Sequence, residues 1–521
     1  MNLSLSFYAL LAGVLLALSA QDADAHPVIK RGGSVTLPLK RIQQRSDLHP
    51  QILHQQNINR ALRRLARMTG RQAPSDAELR RNLEKRVASL ENDPVYKRYH
   101  RYTPPGNSKR FNRDGVSGSR VNAVVGRKHN HNKGNNNGAN GATASTSAGN
   151  STATAAASAT NGTTAVSSAS DAASSDVTVA NTPTTANSLG LDIESDDVGY
   201  LATIQMGTPP QDFLLLMDSG SADTWVGGEN CQSEDGGDCG NHNFLGTTSS
   251  SSFQDSNTQF QVTYGTGSVQ GTIVQDNVVV AGLSLDAHTF GVATTESVDF
   301  SSDSTPFDGL MGLAQSTLSN EGVLTPVESL AKGGLIDAAI TSFKIPRLAD
   351  NLNDGEVTFG ALDTSKFDSN TLVTVDNQSQ DGFWEGAMDS ITVDGTDSGL
   401  SGRLAILDTG TTLIIAPESD AVAVHKLISG AQSAGQGSFT IPCTANTSVA
   451  LTFGGQEFAI DARDLAFTPV DANDPTGDCV SGISSGNVGA ANEWLVGDVF
   501  LKNAYFSVNV NANSISLAKL V

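Results

Sequence analysis

Phe213-Leu-Leu-Leu-Met-Asp218-Ser219-Gly220-Ser221-Ala-Asp-Thr-Trp225-Val226 is the stretch on which the reading of this chain turns. A run of large apolar residues reads as a buried strand, ends abruptly on Asp218 and turns through Ser219-Gly220-Ser221. An ionised carboxylate in that place is costly unless it is hydrogen-bonded or paired. The pattern returns 190 positions later as Leu404-Ala-Ile-Leu-Asp408-Thr409-Gly410-Thr411-Thr-Leu-Ile-Ile-Ala416. Two apolar strands, each delivering Asp-Ser/Thr-Gly into a tight turn, predict two halves whose carboxylates meet face to face. Two such groups about 3 Å apart cannot readily both ionise, so they share a proton. One then acts as base toward a water while the other donates to a carbonyl oxygen.

A second element repeats with the first. Asp218 is followed by Phe307-Asp-Gly-Leu-Met-Gly-Leu313, and Asp408 by Trp494-Leu-Val-Gly-Asp-Val-Phe500. The intervals from each aspartate to the shared glycine, Gly312 and Gly497, are 94 and 89 residues. An aspartate turn followed at a similar distance by an apolar-Gly element, twice over, predicts a duplicated lobe.

The 521 residues exceed what one domain needs, and their charge is unevenly spread. Residues 26–133 hold 24 basic and 7 acidic side chains, a net of +17, whereas residues from Val198 onward hold 9 and 39, a net of −30. A basic segment ahead of an acidic body either binds nucleic acid or neutralises the body intramolecularly. The body's own charge argues against a nucleic-acid enzyme. Residues 1–25, apolar from Leu3 to Ala20 and then rich in small residues, read as a cleaved secretory signal, although the usual leading positive charge is missing. No other run is long enough to span a membrane, so a soluble product is expected. Residues 26–133 carry a short strand at Ser34–Arg41, helices at Gln51–Met68 and Ala77–Leu90, and several dibasic pairs that are candidate processing sites, among them Lys40-Arg41, Lys85-Arg86, Lys97-Arg98, Lys109-Arg110 and Arg127-Lys128. Residues 134–190 collapse to Ala, Ser, Thr, Asn and Gly, and read as a disordered linker. Sequons fall there at Asn150 and Asn161, and in the body at Asn377 and Asn446. From Val198 short Val, Ile, Leu, Phe and Thr runs alternate with Gly, Asp, Asn and Ser turns, the texture of an all-β protein. Thr325–Lys332 and Ser419–Leu427 are the better helix candidates. Four cysteines group locally, Cys231 with Cys239 and Cys443 with Cys479, without zinc spacing. Two local disulfides in an oxidising compartment, or four buried thiols, both fit.

From about Leu191 to Val521 the sequence resembles the pepsin-like aspartic endopeptidases, of a secreted fungal type. Tyr200 to Pro210 looks like the family's opening strand and turn, and Val262-Thr-Tyr264-Gly265-Thr266-Gly-Ser-Val-Gln-Gly271 like the flap that closes over substrate. Ser34 to Arg41 is similar to the start of the family's inhibitory prosegment. The sharing of one proton by two aspartates is the established chemistry of this class. The resemblance implies a bilobal all-β fold, two pseudo-twofold-related lobes (residues 191–372 and 373–521) with the cleft between them. It implies Asp218 and Asp408 as catalytic, Ser219 and Thr409 as the hydroxyls tying the turns together, and Gly220 and Gly410 as close backbone neighbours. Ser221 and Thr411 match hydroxyl partners of the aspartates, Tyr264 the flap tyrosine, Trp225 the holder of its hydroxyl, and Cys231–Cys239 and Cys443–Cys479 two family disulfides. Protein or peptide substrates, residues 26–133 as an intramolecular inhibitor, a monomer, and no cofactor, metal, nucleic acid or membrane are expected. The destination is extracellular or, alternatively, the vacuole. Ser219 stands where the family usually has threonine, and Gly227-Gly228 where a proline follows the valine, a change expected to loosen that loop. With no acidic residue at Thr266 near the flap tip, bulky apolar residues are expected on both sides of the scissile bond.

Rival readings are weaker. Gly482-Ile-Ser484-Ser-Gly486 satisfies a serine-hydrolase string but reads as a loop, lacking a strong preceding strand and a following helix. His242, His288 and His425 have no recognisable partner, and Asp471 to Asp478 reads as a turn lacking calcium-loop spacing. A non-catalytic binding protein would be expected to have altered dyads. Glycoside hydrolysis by two carboxylates fits poorly with a flap and 6% aromatics.

Overall fold

The computed structural model describes residues 35–38, 40–41, 49–68, 72–90, 177–178, 193–194 and 199–521, except 266, 304, 351, 353, 472 and 487–490. Strands dominate, and the reason is visible in Gln211–Asp218. Phe213, Leu215 and Met217 are fully buried, while Leu214 and Leu216 face the other side and stay partly exposed. This is the two-residue period of a strand. The strand pairs antiparallel with Tyr200–Met206 and parallel with Gly309–Gly312, which sets Gly312 opposite Asp218. Gly309–Gly312 pairs in turn, antiparallel, with Thr224–Ser233, which follows the aspartate turn.

The second half repeats this. Arg403–Leu407 leads to Asp408 and pairs in parallel with Glu493–Val496, Leu407 opposite Val496. Glu493–Val496 pairs antiparallel with Ile414–Ala416, which follows the second turn. The duplication read from the spacing is therefore a duplication of strand topology. A ten-stranded sheet belongs to the first half, and a five-stranded and two four-stranded sheets to the second. A six-stranded sheet joins Ile340–Lys344, Glu356–Phe359 and Val373–Asp376 to the final strands Tyr505–Asn509 and Ser514–Ala518. The result is the expected bilobal all-β architecture.

The basic segment is built onto this body. Val35–Pro38 adds an edge strand to the six-stranded sheet against Glu356–Phe359, and Lys40–Arg41 pairs with Tyr200 and Leu201. Two helices follow, α1 (Pro50–Met68) and α2 (Asp76–Leu90), within a residue of the boundaries read from sequence. Ile58, Leu62, Leu65 and Ala66 of α1 enter the main core, while Leu83 and Leu90 of α2 pack on Ile52. Each buried leucine contributes about 2 kcal/mol. Arg86 of α2 is buried; its guanidinium donates to Gln55 Oε1 at 3.2 Å and to the carbonyls of Ala434 and Gly435 at 2.5 and 2.6 Å. The dibasic pair Lys85-Arg86 is thus closed to a processing protease in this form. Lys40-Arg41 is strand, and Lys97-Arg98, Lys109-Arg110 and Arg127-Lys128 lie outside the described residues.

Further helices include α3 (Val298–Ser301), α4 (Pro326–Lys332) and α5 (Glu418–Leu427). α4 starts where a capping box forms: the Thr325 hydroxyl accepts from Glu328 N, and Glu328 Oε2 accepts from Thr325 N at 2.9 Å. Cys231–Cys239 and Cys443–Cys479 are disulfides, so the free-thiol alternative falls. Val177–Thr178, inside the segment read as a linker, pairs with Ile193–Glu194; the rest of residues 134–190, with Asn150 and Asn161, and residues 1–25 lie outside the described residues. Gly227 and Gly228, where the family's proline is missing, belong to Thr224–Ser233; Gly227 pairs with Ala293 and Gly228 bridges to Leu245. No helix among the described residues is long and apolar enough to cross a membrane.

Candidate active site

Asp218 and Asp408 are fully buried and held by the same donors in the same order. Asp218 Oδ1 accepts from Gly220 N at 2.9 Å and Oδ2 from the Ser221 hydroxyl at 2.6 Å. Asp408 Oδ1 accepts from Gly410 N at 2.9 Å and Oδ2 from the Thr411 hydroxyl at 2.6 Å. The turns are cross-tied. Ser219 N donates to Thr409 Oγ1 at 2.9 Å and Thr409 N to Ser219 Oγ at 3.0 Å. The Ser219 hydroxyl donates to Leu407 O at 3.1 Å and that of Thr409 to Met217 O at 2.7 Å. Serine in place of threonine keeps every bond of this tie, because only the hydroxyl is used. Glycine is required at Gly220 and Gly410, where a Cβ would overlap the opposite aspartate's carboxylate.

Between the two carboxylates lies Arg64 of α1. Its guanidinium is ion-paired to both, through Nε to Asp408 Oδ2 and Nη2 to Asp218 Oδ1, with a further bond from Nη2 to Asp408 Oδ1 at 2.7 Å. Burial works against the Arg64 cation, but Asp218 and Asp408 outweigh it and hold it protonated more firmly than a free arginine. Burial pushes Asp408 up to about 6; the Arg64 charge opposes that and Asp218 adds to it.

The flap strands Gln254–Thr263 and Ser268–Val280 form a hairpin whose turn bears Tyr264 and Gly265; Thr266 lies outside the described residues. Trp225 Nε1 donates to the Tyr264 hydroxyl at 2.9 Å. Phe300 of α3, which the sequence reading missed, packs edge-on to both rings, at 5.6 Å from Tyr264 and 5.3 Å from Trp225. Burial, with Asp223 and Asp218 nearby, raises the Tyr264 pKa well above its usual range. Every residue of the two turns, the flap tyrosine and the tryptophan thus fall around one site.

Other readings resolve differently. Ile483–Ser485 is a strand, not a loop. Ser484 is buried and shares a 3.1 Å hydrogen bond with His54 Nε2 of α1, so it serves in docking that helix. His425 has partners, Ala421 O at 2.7 Å and Ser481 Oγ at 2.9 Å, and stacks on Phe439. Asp471 and Asp474 accept amides two residues on, as turn residues do. Asn446 is exposed. Asn377 is buried and its amide donates to Asn513 Oδ1 at 3.0 Å. Cys231, Cys239 and Glu296 are grouped as metal ligands might be, but both sulfurs are committed to a disulfide.

Comparison with known proteins agrees with this geometry. A family model described as "Eukaryotic aspartyl protease" matches residues 199–520. The chain belongs to that family. Among aspartyl protease relatives, it is 35% identical over 330 residues to "Probable aspartic-type endopeptidase CTSD" of Trichophyton verrucosum, a match covering 63% of this chain and 62% of that protein. It is 33% identical over 329 residues to "Aspartic-type endopeptidase ctsD" of Aspergillus fumigatus (63% and 67% covered). It is 32% identical over 325 residues to "Pepsin A" of Canis lupus familiaris (61% and 80% covered). The chain thus spans less than two thirds of the first of these relatives.

Proposed function

We propose that this protein is an aspartic endopeptidase made as a zymogen, hydrolysing internal peptide bonds of proteins at acid pH. The observation that carries the reading is the pair of equivalently bonded, fully buried carboxylates of Asp218 and Asp408 bridged by one cation from the chain's own basic segment. Without Arg64, two carboxylates so placed share a proton, one activating a water and the other donating to the substrate carbonyl. Gly220 and Gly410 amides and the Ser221 and Thr411 hydroxyls keep the pair in place through that step. Tyr264, fixed by Trp225, covers the substrate, with Gly265 beside it in the flap turn. No covalent intermediate or cofactor enters. Bulky apolar residues are favoured at the scissile bond, Phe300 and the flap rings offering an apolar wall.

In the form described, α1 fills the cleft and Arg64 blocks the dyad. Residues 26–133 act as the inhibitory prosegment, 134–190 as the linker, and 191–372 and 373–521 as the two lobes of the mature, monomeric enzyme. A secreted, extracellular product suits the leader and the two disulfides, with the vacuole as the alternative, and Asn446 is the sequon best placed for a glycan. The test is to purify the full-length chain at neutral pH, step it to pH about 4, and follow peptide hydrolysis, intact mass and mass after deglycosylation. Activity should appear with shortening and be blocked by a hydroxyl-containing peptide mimic. Asp218→Ala should lower turnover by roughly 10³-fold or more while the fold persists, as loss of acid–base chemistry demands. Full activity in a folded Asp218→Ala protein would exclude this mechanism.

A further inference from the structure

We propose that Asp299 is a specificity-determining residue of the cleft, selecting a lysine or arginine side chain of the substrate about two residues from the scissile bond. The proposal rests on the peptidase reading above and adds a substrate class to it.

The flap fixes where Asp299 stands. A Cβ at Gly265 would overlap the carbonyl of Arg60 and lie 3.2 Å from Arg64 Cβ, so α1 runs directly under the flap turn. On the other limb, a Cβ at Gly267 would overlap Ser297 Oγ and lie 3.1 Å from the Phe300 ring. Ser297 Oγ accepts from Ser268 N at 3.0 Å, and α3 starts at that point. Asp299 is therefore at the root of the flap, next to the ring that packs on Tyr264 and Trp225. Glu234 reaches the same root, accepting from the Ser268 hydroxyl at 3.1 Å.

Two cations of α1 act on Asp299 there. Arg60 and Arg63 stand three residues apart on α1 and so share a face, and Arg63 is buried. Burial raises the Asp299 pKa, while Arg60 and then Arg63 pull it down and Glu234 pushes it up. Burial lowers the Arg60 pKa, and Asp299 pulls it back. Each group thus feels the charge of the other, and both are half-buried. α1 brings three arginines to the cleft, Arg64 to the dyad and Arg60 and Arg63 within electrostatic reach of Asp299. A segment that blocks a cleft and a substrate that enters it use the same walls. When α1 leaves, Asp299 loses both cations under a flap that keeps water scarce, and a substrate cation can take their place.

The distance follows from helix geometry. Arg60 and Arg64 are four residues apart, about 6 Å along the axis. An extended peptide advances about 3.3 Å per residue, so a cation that reaches Asp299 while the dyad holds the scissile bond sits about two residues away. This leaves the residues flanking the cut free to be apolar.

The test uses the full-length chain activated by acid and a peptide series with one apolar–apolar cleavage site. Positions two and three residues to either side of the cut carry Lys, Gln or Glu one at a time, and kcat/KM is measured in steps from pH about 5 to 7, because burial holds Asp299 above the ordinary carboxylate range and only its ionised form attracts a cation. At one position Lys should exceed Gln roughly three- to tenfold, the range of a partly exposed ion pair, and Glu should fall below Gln. The Lys-to-Gln ratio should drop to about one in Asp299→Asn, invert toward Glu in Asp299→Lys, and shrink with added salt. A ratio unchanged in folded Asp299→Asn, or equal rates at all four positions in the unsubstituted enzyme, would overturn the proposal. If Asp299→Asn does not fold, Glu234→Gln and the salt titration of the unsubstituted ratio decide, a salt-insensitive ratio counting against it. Failure of the folded, acid-treated protein to cut any peptide would instead remove the peptidase reading.

Discussion

At the scale of single residues, Asp223 and Glu321 form a buried acidic pair that the proposed reaction does not use. Asp223 accepts from the Ser319 hydroxyl at 2.9 Å, Asn320 Nδ2 at 2.7 Å and Glu321 N at 2.9 Å. Burial, and then the neighbouring Asp223, push the Glu321 pKa well above its ordinary 4.5, with the amides of Thr224 and Gly291 opposing. The folded chain therefore keeps a proton on Glu321 that the unfolded chain releases above pH about 4.5. The stability this group contributes is present below that pH and is lost as pH rises toward its folded value. Glu321→Gln, which cannot ionise, should raise the melting temperature at pH 7 by a few degrees and change it little at pH 4. Thermal unfolding of both proteins across that range checks it; equal melting-temperature differences at pH 4 and pH 7 would mean that Glu321 does not titrate between them. Nothing in the sequence marks Glu321, which stands in a Ser-Asn-Glu-Gly turn. Its chemistry comes from Asp223, 98 positions away.

At the scale of elements, much was legible where local pattern and tertiary demand agree. The apolar runs ending on Asp218 and Asp408 became the two central strands because each is paired on both edges and buries the residues that lead into its aspartate. α1 was readable from Leu62 and Leu65, and α4 was read as Thr325–Lys332, one residue from its observed start. Ile483–Ser485 was not, since Ser and Gly carry little strand preference and it is pairing with Ile414–Ala416 that makes it extended. Arg64 could not be singled out either: α1 carries Arg60, Arg63, Arg64 and Arg67, and docking alone decides which one meets the dyad. Docking also gives α1 a pH response. His54 is buried with Nε2 on Ser484 Oγ at 3.1 Å, near Phe467, with Arg86 of α2 the charge acting on it. Burial, then Arg86, lower its pKa from 6.5 to about 3. A histidine held neutral contributes docking stability that is fully present above pH 6.5 and is lost as pH falls toward 3, at up to about 1.4 kcal/mol per pH unit. His54→Gln, which keeps a hydrogen-bonding group but binds no proton, should shift the midpoint of acid-induced opening to lower pH and make it less steep. Stopped-flow activity after pH jumps would read both. A midpoint that moves upward would mean that His54 acts only through packing.

At the scale of the whole molecule, the forces holding the basic segment differ in range. The segment's net +17 and the body's net −30 attract over distances that salt screens within about 8–10 Å. The Arg64 bridge, the buried Arg86 and the apolar face of α1 are desolvated contacts that salt reaches poorly. As pH falls, body carboxylates protonate and the long-range attraction fades, while repulsion within the segment remains. Salt should imitate the loss of attraction without supplying protons. Raising ionic strength from about 0.05 to 0.5 M should therefore move the midpoint of opening to higher pH, by a few tenths of a unit for each kcal/mol of attraction removed. It should not make the precursor active at neutral pH, because Arg64 still bridges Asp218 and Asp408 there. Activity of uncut precursor across a grid of salt and pH separates the two contributions. Neutral activity in high salt would mean that long-range charge alone holds α1 in the cleft, and a midpoint indifferent to salt would mean that the buried contacts carry the whole of it.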